Sequence, residues 1–254
     1  NRIVTGKPLF GLDYKVPDML YATVLRPPSF GQVLESYDAT EAKNILGVID
    51  VFTIGEKANE FINSGKSNWT FKLPKTEKVV ILAENTWAAI KGKEAVEAKW
   101  QFASDPEYTN GHDVQLLEIL NRDNLEIKRA DGDVKKAFSK ADKILERTYS
   151  SPFLPHNCME PMNFFAHVTS EKVRLVGPIQ TPEYAAIVVA EMLGRPLEDI
   201  QVDMTRMGGG FGRRLYGDFV YEVAEISNVI QKPVQLVSTR EDDMTSGIYR
   251  PALK

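Results

Sequence analysis

The sequence predicts a fold of the α+β class for a chain of 254 residues. Apolar runs of strand length, segments of helical periodicity and glycine- or proline-rich turns alternate along it. The composition supports a globular core, since 43% of the residues are hydrophobic and 26% are charged. A chain of this length forms one large domain or two modest ones, and we predict two, spanning residues 1–145 and 146–254.

The first predicted domain contains strands, a helix and a connector. Leu20–Leu25 and Val79–Ala83 are apolar runs typical of strands, the second of a buried one. Asn85 or Thr86 is predicted to cap a helix that continues to about Ala98.

The end of this domain is predicted to be an extended connector. Residues 101–145 are polar and contain Asp-Pro, Asn-Gly and Asp-Gly turn signals. A short helix is predicted at residues 134–141. His112 lies beside a glycine in this stretch, and we interpret it as a histidine of a surface loop.

The second predicted domain alternates strands with helices. Thr181 and Pro182 are predicted to begin a helix that ends at Gly194. A capping-box pattern from Ser238 to Glu241 predicts another helix start. The remaining predicted elements are strands at Val173–Val176, Ile200–Met204 and Pro233–Ser238 and a helix at Leu215–Ile230.

The most informative stretch is Gly208-Gly209-Gly210-Phe211-Gly212, followed by Arg213-Arg214. Glycine costs about 1 kcal/mol against alanine inside a helix, so this cluster indicates positive φ or close approach to another molecule. A predicted strand precedes it and a predicted helix follows, an arrangement that suits an anion. A tight turn with solvated arginines is the alternative. The spacing matches neither the P-loop nor the dinucleotide-binding fingerprint.

A second group of reactive side chains comprises His156, Cys158 and Glu160. Cys158 is the only cysteine, which excludes an intrachain disulfide, and no protein-ligated metal is predicted. A Cys158–His156 nucleophile pair has little support. Glu160 is either a structural carboxylate, which we favour, or a general base. Gln180 precedes a predicted helix and is either a donor to a ligand oxygen or an ordinary turn residue.

The composition also limits the partners. A net charge of −4 without a lysine or arginine run argues against nucleic acid as the main partner. No apolar run approaches the roughly 20 residues of a membrane span. The compartment stays open between the cytoplasm and export to the periplasm after folding.

Together these motifs resemble the molybdenum-binding subunit of the xanthine dehydrogenase and aldehyde oxidase family. The segments from Val4 to Lys7 and from Arg26 to Pro28 resemble the start of that family's hammerhead domain. The motifs that occur in the family's order are His156–Pro161, Pro178–Pro182, Met207–Gly212 and Thr239–Asp242. Arg213-Arg214 and the run Met159–Asn163 are most similar to the isoquinoline 1-oxidoreductase beta-subunit branch.

The resemblance implies a hammerhead-type α/β domain followed by part of a molybdopterin-binding α+β domain. It implies hydroxylation of a carbon in an N-heterocycle or aldehyde with oxygen from water, and a small [2Fe–2S] partner subunit. It places Gln180 at the catalytic centre, near the molybdenum. The molybdopterin contacts that it implies are Gly209, Gly210, Phe211, Gly212 and Arg213, the last beside the pterin phosphate.

The sequence also departs from the family. Ile179 stands where the family often has threonine, and the Gly-x-Gly-Glu motif that carries the family's general base is absent from this sequence. We therefore expect part of a longer polypeptide that is inactive and free of cofactor by itself. The alternative function is a non-catalytic phosphate-binding, nucleotide-binding or scaffold protein that uses the loop Gly208–Gly212.

Overall fold

The computed structural model describes residues 4–8, 10–67, 69, 76–245 and 248–254. Its strands are β1 (Leu20–Leu25), β2 (Gln32–Asp38), β3 (Val48–Ile54), β4 (Lys78–Ala83), β5 (Glu97–Phe102), β6 (Asn163–Val168), β7 (Val173–Gly177), β8 (Ile200–Met204) and β9 (Val234–Val237). Its α-helices are α1 (Thr40–Lys43), α2 (Glu56–Asn63), α3 (Thr86–Ala95), α4 (Thr109–Leu120), α5 (Val134–Ser139), α6 (Pro182–Leu193), α7 (Asp218–Ile230) and α8 (Arg240–Thr245). Short 3-10 helices lie at Gly11–Asp13, Leu197–Asp199 and Arg213–Leu215.

The main sheet joins strands from both halves of the described chain. Its order is β3-β4-β1-β9-β6-β7-β8, while β2 and β5 form a separate antiparallel pair. β1 pairs with β4 in the antiparallel and with β9 in the parallel direction, and β9 pairs with β6. The predicted domain boundary between residues 145 and 146 therefore separates strands that belong to one sheet.

The contacts divide the chain into two units. Unit 1 comprises Asn1–Asp105 with Pro155–Ile248, and unit 2 comprises Pro106–Leu154 with Tyr249–Lys254. Unit 1 contains the main sheet, and unit 2 contains α4, α5 and isolated bridges from Ser151 to Leu253 and from Leu154 to Arg250. No helix within the described ranges is long and apolar enough to cross a bilayer.

The core of unit 1 lies between the sheet and α6 and α7. Every position of β4 is buried, as its continuous apolar run predicts. α7 buries Phe219, Val223 and Ile226 against this core. Each such side chain stabilises the fold by about 1.5–3 kcal/mol when it leaves water completely.

Several predicted elements are confirmed with changes at their ends. β1 and β8 have the predicted bounds. The Asn85 side chain caps α3 by accepting a hydrogen bond from the Ala88 N–H. This helix ends at Ala95 rather than at Ala98, because Val96 is extended and leads into β5.

The predicted connector contains a helix that the turn signals concealed. α4 covers twelve residues, and Asn110-Gly111 lies in its first turn instead of ending a segment. His112 is therefore a helical residue, not a loop residue. Its Nε2 lies 3.1 Å from the Glu107 carboxylate.

The helix caps in the structure differ in part from the predicted ones. Gly194 ends α6 in the left-handed conformation, as expected. Thr181 makes no side-chain cap; its hydroxyl donates to the Leu215 carbonyl at 2.9 Å. The capping pair of α8 lies one residue later than predicted: the Asp242 N–H donates to Thr239 Oγ1 and the Thr239 N–H to Asp242 Oδ2.

Candidate functional site

The glycine loop leaves the end of β8 and turns through unusual backbone conformations. Gly209 and Gly212 have φ of 107° and 94°, and Phe211 has φ of 51°. Positive φ is rare for an aromatic residue, so the turn imposes strain there. The Arg213 N–H donates to the Gly210 carbonyl at 2.8 Å and closes the turn. The Phe211 side chain is 64% exposed.

The structure brings Gln180 against this loop. A Cβ on Gly210 would lie 2.8 Å from Gln180 Oε1 and 2.7 Å from Met207 Sδ, so only glycine permits this approach without displacement. The Gln180 N–H donates to the Arg214 carbonyl at 2.9 Å. Gln180 is exposed, and its amide can therefore donate to or accept from a group bound at the loop.

Arg213 is directed into the protein. Its guanidinium forms two hydrogen bonds of 2.6 Å to the Asp218 carboxylate, and both side chains are largely buried. Burial opposes the charge of Arg213, but the Asp218 carboxylate overcomes this and raises the pKa of Arg213. Burial likewise opposes ionisation of Asp218, yet Arg213 lowers its pKa. The contact between Arg213 and a pterin phosphate stays a prediction.

Arg214 is completely buried and is surrounded by main-chain carbonyls. Its Nε donates to the Gly209 carbonyl and its NH2 group to the Glu160 carbonyl, both at 2.8 Å. The carbonyls of Pro178 and Pro161 lie at 3.5 and 3.4 Å from the same guanidinium. Burial lowers the pKa of Arg214. The two arginines therefore provide no exposed charge for a phosphate, which removes the main support for the alternative function.

Glu160 is a buried structural carboxylate. Its Oε2 accepts from the Gly208 N–H at 2.8 Å, and its Oε1 accepts from the Asn163 side-chain amide at 3.1 Å. The Leu12 N–H also donates to Oε1, at 3.3 Å. A carboxylate occupied in this way is not available as a general base.

The residues before Glu160 form a wall beside the loop. Cys158 is buried, and its thiol donates to the Gly210 carbonyl at 3.5 Å. Burial raises the pKa of the Cys158 thiol, which disfavours the thiolate that a nucleophile requires. The His156 ring faces Gly212, with Nε2 3.8 Å from the Cβ position of that glycine.

Arg240 is a site residue that the sequence interpretation missed. Its guanidinium donates to the carbonyls of Cys158 and Met159 and to the side-chain oxygen of Asn157. It thereby holds a segment in which Asn157 has φ of 48°. The sequence signal was the motif Thr239–Asp242, which contains this arginine, but the motif by itself does not point to this contact.

Near the site, α7 begins later than the predicted start at Leu215. The helix begins at Asp218, because Arg213–Leu215 forms a 3-10 turn first. The N–H groups of α7 are thus separated from the glycine loop, and the positive end of this helix is matched by Asp218 in its first turn. Within the described residues, no group of three histidine, cysteine or acidic side chains could hold a metal ion.

The exposed part of the site therefore consists of neutral groups. It combines the Gln180 amide, the half-buried backbone of Gly209, Gly210 and Gly212, and the Phe211 ring. These groups fit a flat cofactor that takes hydrogen bonds from an amide and from the main chain. They do not fit a group that requires a cation.

Comparison with known proteins identifies the family of the chain. Residues 118–254 match the molybdopterin cofactor-binding domain family. The membrane-bound aldehyde dehydrogenase (pyrroloquinoline-quinone) of Gluconacetobacter polyoxogenes is 30% identical over 96% of this chain and 30% of its own length. The nicotinate dehydrogenase large molybdopterin subunit of Eubacterium barkeri is 28% identical over 97% of this chain and 61% of its own length. Isoquinoline 1-oxidoreductase subunit beta of Brevundimonas diminuta is 23% identical over 98% of this chain and 31% of its own length.

The fold is likewise similar to a solved structure. Quinoline 2-oxidoreductase from Pseudomonas putida 86 superposes with a TM-score of 0.71 at 19% identity, over 98% of this chain and 35% of that one. The chain thus spans about a third of the length of most of these proteins. Because the family match covers more than half of the chain, the chain belongs to the molybdopterin-binding subunits of the xanthine dehydrogenase and aldehyde oxidase family.

Proposed function

We propose that the chain forms part of the large subunit of a molybdenum hydroxylase. The proposed reaction is oxidative hydroxylation of a carbon in an N-heterocycle or aldehyde with oxygen from water. The observation that carries this proposal is the packing of the Gln180 amide against Gly210, within the matched cofactor-binding domain. The names of the relatives, which include nicotinate, isoquinoline and aldehyde oxidoreductases, support this substrate class.

In this proposal the molybdenum cofactor supplies the redox chemistry when bound, and the chain supplies position and polarity. Gln180 orients the bound group by one hydrogen bond from its exposed side-chain amide. Gly209, Gly210 and Gly212 present main-chain groups without a Cβ that would obstruct a flat ligand, and Phe211 covers one side of it.

The proposed domain arrangement has a hammerhead-type domain with its connector at residues 1–145 and the first part of a molybdopterin-binding domain at residues 146–254. β1, β3 and β4 from the first segment share a sheet with β6, β7, β8 and β9 from the second. In this proposal the two segments therefore fold together and do not form separate lobes.

The proposed partners follow from the same chemistry. Electrons leave through a small [2Fe–2S] subunit, and the substrate is a small N-heterocycle or aldehyde. We propose that the complete protein contains the general-base glutamate and further pterin contacts, because this chain spans 30% to 61% of its relatives. The 254-residue chain alone is expected to bind no molybdenum, and stoichiometric molybdenum in the purified chain would contradict that expectation.

A glutamine exchange in the full-length protein with its iron–sulfur partner tests the proposal. Gln180→Ala is expected to keep the molybdenum content and to lower turnover of an aldehyde or N-heterocycle by roughly tenfold or more. Gln201→Ala is the matched control, since this exposed amide donates only to Asp203 on its own strand in the described contacts. The proposal fails if the wild-type protein contains no molybdenum, or if both variants turn over alike.

A further inference from the structure

Three chain segments meet directly behind the exposed site. They are residues 160–163, residues 178–180 and the loop with its two arginines, residues 208–214. The Glu160 side chain reaches the loop through the Gly208 N–H, and a Cβ on Gly208 would lie 2.5 Å from Glu160 Cβ. The Glu160 main chain also pairs with the loop, since its N–H donates to the Gly208 carbonyl at 3.0 Å.

Arg214 joins the same segments from the other end of the loop. Its guanidinium donates hydrogen bonds to the carbonyls of Gly209 in the loop, Pro178 before Gln180, and Glu160. Its NH2 group lies 3.6 Å from Glu160 Oε2, and the side chains are 0% and 6% exposed. Arg214 and Glu160 thus form a buried ion pair between the loop and residues 160–163, and the Pro178 carbonyl connects Arg214 to the segment that carries Gln180.

We propose that Glu160 and Arg214 are positioning residues for the Gln180–Gly210 contact; this inference rests on the proposed function for its relevance to the cofactor. The Arg214 main-chain carbonyl fixes the Gln180 N–H, while its guanidinium fixes the residue before Gly210. The Glu160 carboxylate fixes the start of the loop. Neither charged group is exposed, so neither contacts a ligand at the Gln180 amide directly.

The loop needs such anchors because of its composition. Glycines populate many backbone conformations, and fixing one residue costs roughly 1–2 kcal/mol in conformational entropy. Hydrogen bonds to charged groups are about twice as strong as neutral ones, which makes a carboxylate and a guanidinium effective anchors. Each ion also removes the unpaired charge that the other would otherwise leave in the interior.

Proteolysis of the 254-residue chain tests whether the pair holds the loop. Chymotrypsin cleaves after aromatic residues, and Phe211 is 64% exposed within the loop. Glu160→Gln and Arg214→Met are expected to accelerate cleavage after Phe211 by roughly tenfold or more, with little dependence on urea, because the loop opens locally. Cleavage after Tyr149, which is 80% exposed in unit 2, serves as the internal reference.

Matched controls remove exposed charges of the same type. Glu198→Gln and Arg174→Met change side chains that lie at the surface, and both are expected to leave the cleavage rate after Phe211 unchanged. Arg214→Lys keeps the charge but loses the planar fork, so an intermediate rate is expected. Should Arg214→Met not fold, Arg214→Lys and Glu160→Gln decide the question.

The side-chain amide resonance of Gln180 is the second readout. Assigned through Gln180→Ala in labelled protein, it is expected to shift in Glu160→Gln and Arg214→Lys and to stay in place in both controls. Unchanged cleavage and an unchanged resonance would overturn the inference. Acceleration at all sites in parallel with lost global stability would overturn it too, because the pair would then be merely structural.

The outcome for the loop is separable from the outcome for the cofactor. A loop that opens in the variants, together with a full-length wild-type protein that lacks molybdopterin, supports the positioning pair and rejects the proposed function. If the wild-type protein contains molybdopterin but the Glu160→Gln variant has an unchanged loop, the positioning pair alone is rejected.

Discussion

The Arg213–Asp218 ion pair allows a direct test of whether the arginines after the loop are held inside the protein. Asp218→Asn keeps the shape of the side chain but removes the charge that holds the Arg213 guanidinium. The side chains of Arg213 and Asp218 are only 8% and 11% exposed, so the guanidinium would remain in the interior without its counter-ion.

The expected loss follows from this burial. Removal of one partner from a buried ion pair costs about 3–5 kcal/mol. At about 2–4 °C for each kcal/mol, the midpoint of thermal unfolding falls by roughly 6–20 °C. The pKa of Asp218 is lowered in the folded state, because Arg213 outweighs burial. Its stabilisation is thus present above the unfolded pKa near 3.9 and is lost as the pH falls through the folded value.

Urea unfolding at pH 7 and at lower pH measures this loss. Asp203→Asn is the matched control, since its pair with Arg174 joins side chains that are 41% and 49% exposed and is expected to contribute about 0–1 kcal/mol. A double-mutant cycle with Arg213→Met isolates the coupling. A loss below about 1 kcal/mol for Asp218→Asn would refute the reasoning, because the buried pair would then contribute no more than an exposed one.

Three further substitutions test the packing around the sheet and the loop. Glu225→Gln is expected to raise the thermal midpoint at pH 7, because burial raises the pKa of Glu225 and the glutamine oxygen can still accept from the Gly55 and Lys57 N–H groups. The penalty of ionised Glu225 is present above its folded pKa and absent below the unfolded value near 4.3, so the two proteins should converge there. Gly177→Ala is expected to lose about 1–3 kcal/mol in urea unfolding, since the new Cβ would lie 2.4 Å from the Phe164 ring, whereas Gly111→Ala in open space should lose nothing. Gly210→Ala is expected to cost under about 1 kcal/mol, because the atoms it meets end the flexible side chains of Gln180 and Met207, but to shift the Gln180 amide resonance.

Strands and helices with strong local signals could be predicted from the sequence. β4 is a continuous apolar run, and Gly194 supplies the left-handed residue that ends α6. α4 could not be found in this way, because none of its residues is buried in the described structure and an Asn-Gly pair lies in its first turn. The pairing of β1 with β9 joins residues far apart in sequence, and no local pattern specifies such a contact.

The glycine loop and Gln180 could be selected from the sequence as candidates, and the structure places Gln180 beside Gly210, but the direction of the arginines could not be predicted. An arginine next to a glycine loop is compatible with an external anion, with solvent and with an internal carboxylate. For Arg213 the choice depends on Asp218, which follows a 3-10 turn and accepts two short hydrogen bonds from the guanidinium. For Arg214 it depends on carbonyls from segments that are distant in sequence.

This difference changes what the loop can recognise. With both guanidinium groups used inside the protein, the exposed surface offers an amide, main-chain groups and an aromatic ring. Such groups select a ligand by shape and hydrogen bonding, and they do so only if the backbone is held in one conformation. In the positioning role that we propose for Glu160 and Arg214, buried charges act on recognition indirectly by ordering the loop, while the predicted contact between Arg213 and a cofactor phosphate would require that guanidinium to leave Asp218.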